Sequence, residues 1–181
     1  MKYLIASDIH GSAFYCKKLL DAFFEEKADR MILLGDILYH GPRNDLPKDY
    51  APKLVFEMLN SISEKILCVR GNCDAEVDQM VLDFPIMADY AVIPVKDRIM
   101  YATHGHIFNP DNPPALKVGD ILLNGHTHVP KLLDNGEFVY MNPGSVSIPK
   151  EETPHSYMIF EDSEFLWKDL LTKEVYNKFI M

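Results

Sequence analysis

The sequence predicts an α/β fold: one domain over residues 1–181 that combines two β-sheets with helices confined to its first half. Three observations predict it. Short apolar runs of about four to six residues recur, each closed by glycine or a polar cluster, the mark of buried strands. Two amphipathic helical patterns separate the first three runs, and that alternation is the signature of a largely parallel sheet. After residue 85 the helical signals thin and strand patterns follow one another.

The first run, Tyr3 to Ala6, ends at Ser7-Asp8. It carries one preceding charge and is too short for a signal peptide, so it reads as a strand. A helix is expected over Ala13 to Lys27, where Leu19, Leu20, Phe23 and Phe24 fall three and four apart. Met31 to Leu34 is the second strand, ending at Gly35-Asp36. Ala51 to Ile62 is the second helix, with Pro52 in the tolerated first turn. Ile66 to Val69 is the third strand, ending at Arg70-Gly71-Asn72. Further strands are expected at Tyr90 to Val95, Ile99 to Thr103, Ile121 to Leu123, Phe138 to Met141, Tyr157 to Phe160 and Phe165 to Leu170. Hairpin turns are expected around Lys96-Asp97 and Ser163-Glu164. The 40–50 and 109–114 stretches read as irregular.

Composition narrows the function classes. The chain has 18 Lys plus Arg against 27 Asp plus Glu, a net charge of −9. That balance argues against a binder of polymeric nucleic acid, which needs excess positive charge. No apolar run approaches the ~20 residues that span a bilayer, so no membrane role is expected. Three cysteines with no paired spacing, Cys16, Cys68 and Cys73, point to free thiols in a reducing cytoplasm.

The polar residues that close the runs carry the chemistry. Asp8 and His10 follow the first, Asp36 the second, Asn72 the third, His104 the run ending at Ala102, and His126 and His128 the run ending at Leu123. The carboxyl ends of strands in an open α/β sheet form a ligand crevice, so these seven residues are expected to converge. Asp8/His10 and His126/His128 are spaced i, i+2 and are expected to point the same way from an extended strand end. Each motif alone has a plainer reading: His10 as a helix cap, Gly35-Asp36 and Gly71-Asn72 as turns. Their conjunction at successive strand ends is what those readings do not explain. Five of the nine glycines, at 11, 35, 71, 105 and 125, adjoin these residues and permit close backbone approach. Mixed His, Asp and Asn ligation without thiolate suits Mn²⁺ first, then Ni²⁺, Fe²⁺, Co²⁺ or Zn²⁺, over Ca²⁺. Seven ligands exceed a single tetrahedral site and suit two ions sharing a carboxylate, the arrangement that clamps an in-line displacement at phosphorus.

Asp8-Ile9-His10, Gly35-Asp36, Gly71-Asn72, Thr103-His104-Gly105-His106 and Gly125-His126-Thr127-His128 together resemble the ordered motif blocks of the calcineurin-like metallophosphoesterase superfamily. His40-Gly41-Pro42-Arg43-Asn44, Arg70 to Asp74 and Asn142 to Lys150 resemble its small bacterial YfcE-type phosphodiesterases in particular. The resemblance implies a calcineurin-like four-layer α/β/β/α sandwich with two mixed β-sheets and a dinuclear centre. Asp8, His10 and His128 would hold one metal, Asn72, His104 and His126 the other, with Asp36 bridging them. It implies hydrolysis of a small phosphodiester by attack of a metal-bridging hydroxide, with Asp36 and Asn72 in catalytic positions. Many phosphomonoesterases of the superfamily have Gly-Asn-His where this chain has Cys73. A thiol is the poorer proton donor, which tilts the expectation toward diesters with good leaving groups.

Arg43, Asn44, Cys73 and His106 are the substrate-contact candidates, and the loops at 40–50 and 106–117 are expected to build the specificity pocket. Arg70 reads as a structural ion pair as readily as a site residue, and Asp74 reads as a helix N-cap in preference to a residue that orients His10 or another ligand. Phe14, Phe23, Phe24 and Phe56 are expected in the core, and His155 at the surface. The alternative function is a catalytically weak scaffold acting through protein partners, as in the superfamily's retromer subunit, which predicts eroded ligands. A free edge strand in the second half could pair two subunits as a homo-oligomer.

Overall fold

The computed structural model describes residues 1–181. Strand β1 (Tyr3–Ala6) leads into helix α1 (Ala13–Glu25), β2 (Arg30–Leu33), α2 (Pro52–Asn60), β3 (Ile66–Cys68) and a one-turn α3 (Glu76–Gln79). The rest is β: β4 (Tyr90–Val95), β5 (Arg98–Thr103), β6 (Ile121–Leu123), β7 (Lys131–Asp134), β8 (Val139–Asn142), β9 (Ser156–Glu161), β10 (Glu164–Asp169) and β11 (Val175–Ile180). No helix is long and apolar enough to cross a membrane.

Two mixed sheets result. The first has the order β11-β10-β9-β1-β2-β3, with β1, β2 and β3 parallel and the β9 side antiparallel. The second has the order β4-β5-β6-β8-β7, with β5, β6 and β8 parallel. The inner faces of both sheets build one core. Ile5, Ile32, Phe165 and Trp167 of the first meet Met100, Ile121, Val139 and Met141 of the second. Trp167, fully buried, donates its indole N–H to the Asn142 carbonyl at 2.7 Å and satisfies its one polar atom.

The helices cover the other face of the first sheet. The Ser12 hydroxyl caps α1 by accepting from the Tyr15 N–H at 3.3 Å. Cys16, Leu19, Leu20 and Phe23 of α1 and Val55 and Leu59 of α2 bury their side chains there. Each large apolar side chain so buried contributes about 1.5–3 kcal/mol.

The outer face of the second sheet carries a loop in place of a regular helix. Phe108 and Leu116 of the 105–119 segment pack on Tyr101, Leu122, Phe138 and Tyr140. The two-sheet sandwich therefore has an irregular fourth layer. Asn109-Pro110 and Asn112-Pro113-Pro114 in that segment exclude a continuous helix.

Strand β7, which follows Pro130, and edge strand β11, exposed along most of its length, lack the buried alternation that marks strands in sequence. The β9–β10 turn is Asp162-Ser163, both at positive φ, with Glu164 already in the strand. Phe24 is exposed, because it lies off the buried stripe of α1, and Phe14 lies under the Lys48 ammonium. His155 is half-buried rather than superficial. It stacks on Tyr15 with ring centroids 3.9 Å apart and donates Nδ1–H to the Val146 carbonyl.

Candidate metal centre

The loops after β1, β2, β3, β5 and β6 bring all seven candidate ligands to one place, although their sequence positions span 120 residues. The means of convergence differs from an extended strand end. Asp8, His10, Asp36, His126 and His128 have φ of 60°, 50°, 56°, 65° and 63°. L-residues avoid this left-handed region at about 1–2 kcal/mol each, so five strained residues are concentrated in one site. Glycine at two flanking positions is required by contact. A Cβ at Gly71 would lie 2.1 Å from Asp36 Oδ1, and one at Gly125 would lie 1.8 Å from Ser7 Oγ.

Three imidazoles are held in one tautomer by the backbone. Nδ1 of His10 donates to the Tyr39 carbonyl at 2.7 Å, Nδ1 of His104 to the Leu34 carbonyl at 2.6 Å, and Nδ1 of His128 to the Ile148 carbonyl at 2.6 Å. A carbonyl only accepts, so each ring turns Nε2 inward. His10 Nε2 lies 3.5 Å from Asp8 Oδ1, 3.7 Å from Asp36 Oδ2 and 3.3 Å from His128 Nε2. His128 Nε2 lies 3.2 Å from Asp8 Oδ1. His104 Nε2 lies 3.4 Å from Asp36 Oδ2, 3.0 Å from Asn72 Oδ1 and 3.2 Å from His126 Nδ1. The Asn72 amide N–H donates to Cys73 Sγ, which turns its oxygen toward His104.

These residues fit a pair of divalent cations. Two ligands each about 2.1 Å from one ion sit about 3.0–3.5 Å apart, the spacing seen between these donors. Asp8 Oδ1 is buried without a hydrogen-bond partner. Asp8, His10 and His128 form one group that can hold a metal, and Asp8, Asp36 and His104 form a second. Asn72 and His126 adjoin the second through His104, and Asp36 stands between His10 and His104.

The buried carboxylates and imidazoles shift one another's titration. Burial pushes the Asp8 carboxyl up, but the His10 and His128 rings outweigh it and hold the carboxyl well below its usual range. Burial acts on Asp36 in the same sense, and His104 brings it below the carboxylate value. Burial lowers His104, yet the Asp36 and Asp8 carboxylates raise it to about 9. A folded-state pKa above the ordinary 6.5 gives stability that is complete below about pH 6.5 and is lost as the pH rises through about 9. The melting temperature of chelator-treated protein is therefore expected to fall across that window, and His104→Gln flattens the fall.

The remaining candidates divide. A cleft of about 300 Å³ opens over the ligands, and Arg43, Asn44 and Cys73 line it. Burial and the Asp36 charge push the Cys73 thiol up to about 12. His106 lies outside the cleft. Gly105, with φ of 114°, turns the chain so that His106 packs on the His104 and His126 rings and lines an adjoining polar cavity. Arg70 donates Nε–H to the Asp74 carbonyl and does not line the cleft.

Sequence reasoning missed several supporting residues. Asp74 does not cap a helix, because Ala75 occupies that position. The buried Asp74 carboxylate accepts N–H from Asp36 at 2.8 Å, Ile37 at 2.9 Å and Gly71 at 2.7 Å, clamping the β2 and β3 loops together. Asn142 holds the 125–128 loop through the Gly125 carbonyl and the Thr127 hydroxyl. The Ser145 and Ser147 hydroxyls donate to the Asp8 carbonyl. Lys150 lines the cleft as its second cation beside Arg43. The available signal was the polar Asn142 to Ser147 block, set between two apolar runs.

Parallel strands ending in a crowded His/Asp/Asn cluster define a metallophosphoesterase architecture. Residues 1–164 match the calcineurin-like phosphoesterase superfamily domain, and the chain belongs to that superfamily. It is 48% identical to phosphodiesterase YfcE of Escherichia coli strain K12 over 162 residues, covering 90% of this chain and 88% of that one. A solved structure of E. coli YfcE, described as a phosphoesterase, superposes with a TM-score of 0.97 at 44% identity, covering 99% of each chain. Phosphodiesterase MJ0936 of Methanocaldococcus jannaschii is 24% identical over 152 residues, covering 80% of this chain and 83% of its own.

Proposed function

We propose that this chain, acting as one domain, is a phosphodiesterase that works with two divalent metal ions, Mn²⁺ foremost. One observation carries the reading: seven side chains from five loops converge, with three imidazoles locked to present Nε2 inward. Asp8, His10 and His128 would hold one ion, Asn72, His104 and His126 the other, and Asp36 both. When bound, such ions supply Lewis-acid charge to the phosphate and lower the pKa of water.

The chain's own groups do the rest. The backbone carbonyls of Leu34, Tyr39 and Ile148 fix the rings, so no reorganisation is needed when substrate arrives. Arg43 and Lys150 at the cleft offer positive charge to the non-bridging phosphate oxygens. Cys73 offers a thiol, a poorer proton donor to a departing oxygen than the histidine found at this position in many phosphomonoesterases. That favours diesters with good leaving groups over alkyl monoesters.

Two cations in the cleft of a chain of net charge −9 suit a small diester better than a nucleic acid polymer. All seven ligand positions are chemically competent, which disfavours a non-catalytic scaffold. Three free cysteines fit a reducing cytoplasm, and the free edge of β11 offers a surface for a second copy.

The test is hydrolysis of bis-p-nitrophenyl phosphate and p-nitrophenyl phosphate by chelator-stripped protein with Mn²⁺, Ni²⁺, Zn²⁺, Mg²⁺ or nothing restored. Metal-dependent turnover favouring the diester is expected, with Mn²⁺ the best ion. Equal or faster turnover of the monoester contradicts the role given to Cys73.

A further inference from the structure

An apolar groove of about 410 Å³ lies beside the metal centre, built by the 38–50 loop, the start of α2 and the α3 turn. Eight of its ten lining residues are hydrophobic, Leu38, Phe56, Val77 and Val81 among them. Its volume is within the range of small-molecule sites, about 300–1,000 Å³.

The groove and the metal cleft are continuous at one side chain. Cys73 lines both, and its Sγ lies within 4.8 Å of a His10 ring nitrogen and an Asp36 carboxylate oxygen. Tyr39, whose carbonyl orients the His10 ring, also lines the groove. A phosphate held over His10 and Asp36 is thus one side chain away from an apolar surface.

The lining favours an uncharged occupant. Asp78 is its only charged residue, and that carboxylate already accepts the Ala75 N–H at 2.9 Å. Val77 is 67% exposed and Val81 38% exposed, so apolar surface stands open to water beside the centre. Covering roughly 60 Å² of such surface is worth about tenfold in affinity.

We propose that this groove binds an aryl-sized apolar arm of the phosphodiester while its phosphate sits at the metal centre. The substrate class is then a diester with one bulky apolar alcohol. The inference rests on the phosphodiesterase reading above. It assigns Val77, Val81 and Phe56 to specificity, with Cys73 as the divide between phosphate and apolar arm.

The test is a binding measurement on full-length Zn²⁺-loaded protein with two non-hydrolysable phosphinate probes, diphenylphosphinate and dimethylphosphinate. Calorimetry is expected to show the diphenyl probe binding at least about tenfold more tightly. Methyl NMR is expected to show the Val77 and Val81 signals shifting with that probe alone. The double variant Val77→Asn/Val81→Asn, at exposed positions and without added charge, removes the preference and leaves the dimethylphosphinate affinity unchanged, which also reports an intact centre. Equal affinities for the two probes, or a preference that survives in the double variant, overturns the groove while hydrolysis of bis-p-nitrophenyl phosphate still stands. Failure of both probes to bind overturns the groove and the phosphodiesterase reading together.

Discussion

Asp36→Asn lowers metal-dependent hydrolysis of bis-p-nitrophenyl phosphate by at least about a thousandfold. The two side chains have nearly the same shape, and an asparagine oxygen can still accept the Cys73 N–H that Asp36 Oδ1 accepts at 2.8 Å. The fold therefore stays, and circular dichroism of the variant matches the parent. What changes is the group between His10 and His104. Asp36 Oδ2 stands 3.7 Å from one Nε2 and 3.4 Å from the other, where its negative charge would offset a cation on either side. An amide NH₂ there presents protons to positions that require an acceptor. Both metal affinities fall, and activity falls with them. Retained turnover in this variant would sink the assignment of Asp36 to both ions.

Asp74→Ala is the second large effect, and its mechanism is different. The Asp74 carboxylate touches no proposed ligand side chain, yet it takes the N–H groups of Asp36, Ile37 and Gly71. Truncation strands three donors at a site where Asp74 itself is 2% exposed. Each buried donor left without a partner costs about 1–3 kcal/mol, so a loss of about 4 kcal/mol in unfolding free energy is expected. The loops carrying Asp36 and Asn72 also loosen, and residues that orient ligands typically contribute 10–100-fold in metal affinity. Chemical denaturation with and without metal separates the two effects. A variant as stable as the parent would show that backbone neighbours or water replace the carboxylate. Asp74→Asn keeps one accepting oxygen and is expected to lie between the two.

Much of this was legible in the sequence because its signals are local. Tyr3–Ala6 and Ile121–Leu123 are strands at their expected boundaries, since their apolar runs end sharply in polar residues. The helix expected over Ala13 to Lys27 follows from its three-and-four spacing, and it ends two residues earlier, at Glu25. The seven ligand candidates were legible because each strand end spends a His, Asp or Asn where a turn residue would serve.

The rest depends on contacts made across the fold. Asp74 next to an α-turn reads as a cap. Its donors, at residues 36, 37 and 71, come together only when β2 pairs with β3. The left-handed φ of Asp8, His10 and His126 leaves no mark in sequence except the neighbouring glycines. Strand β11 is exposed along its outer edge, so it carries no alternation to read. His106 shares its block with His104, but the turn at Gly105 sends it to a different cavity. The apolar groove is assembled from the 38–50 loop, α2 and α3, and no stretch of sequence announces it.

If these seven side chains hold two divalent ions at once, titration of chelator-stripped protein with Mn²⁺, counted by equilibrium dialysis and read by electron paramagnetic resonance, shows it. Two ions per chain are expected, with the spin coupling of ions about 3.5–4 Å apart. One ion per chain, or two without coupling, would contradict the shared position given to Asp36.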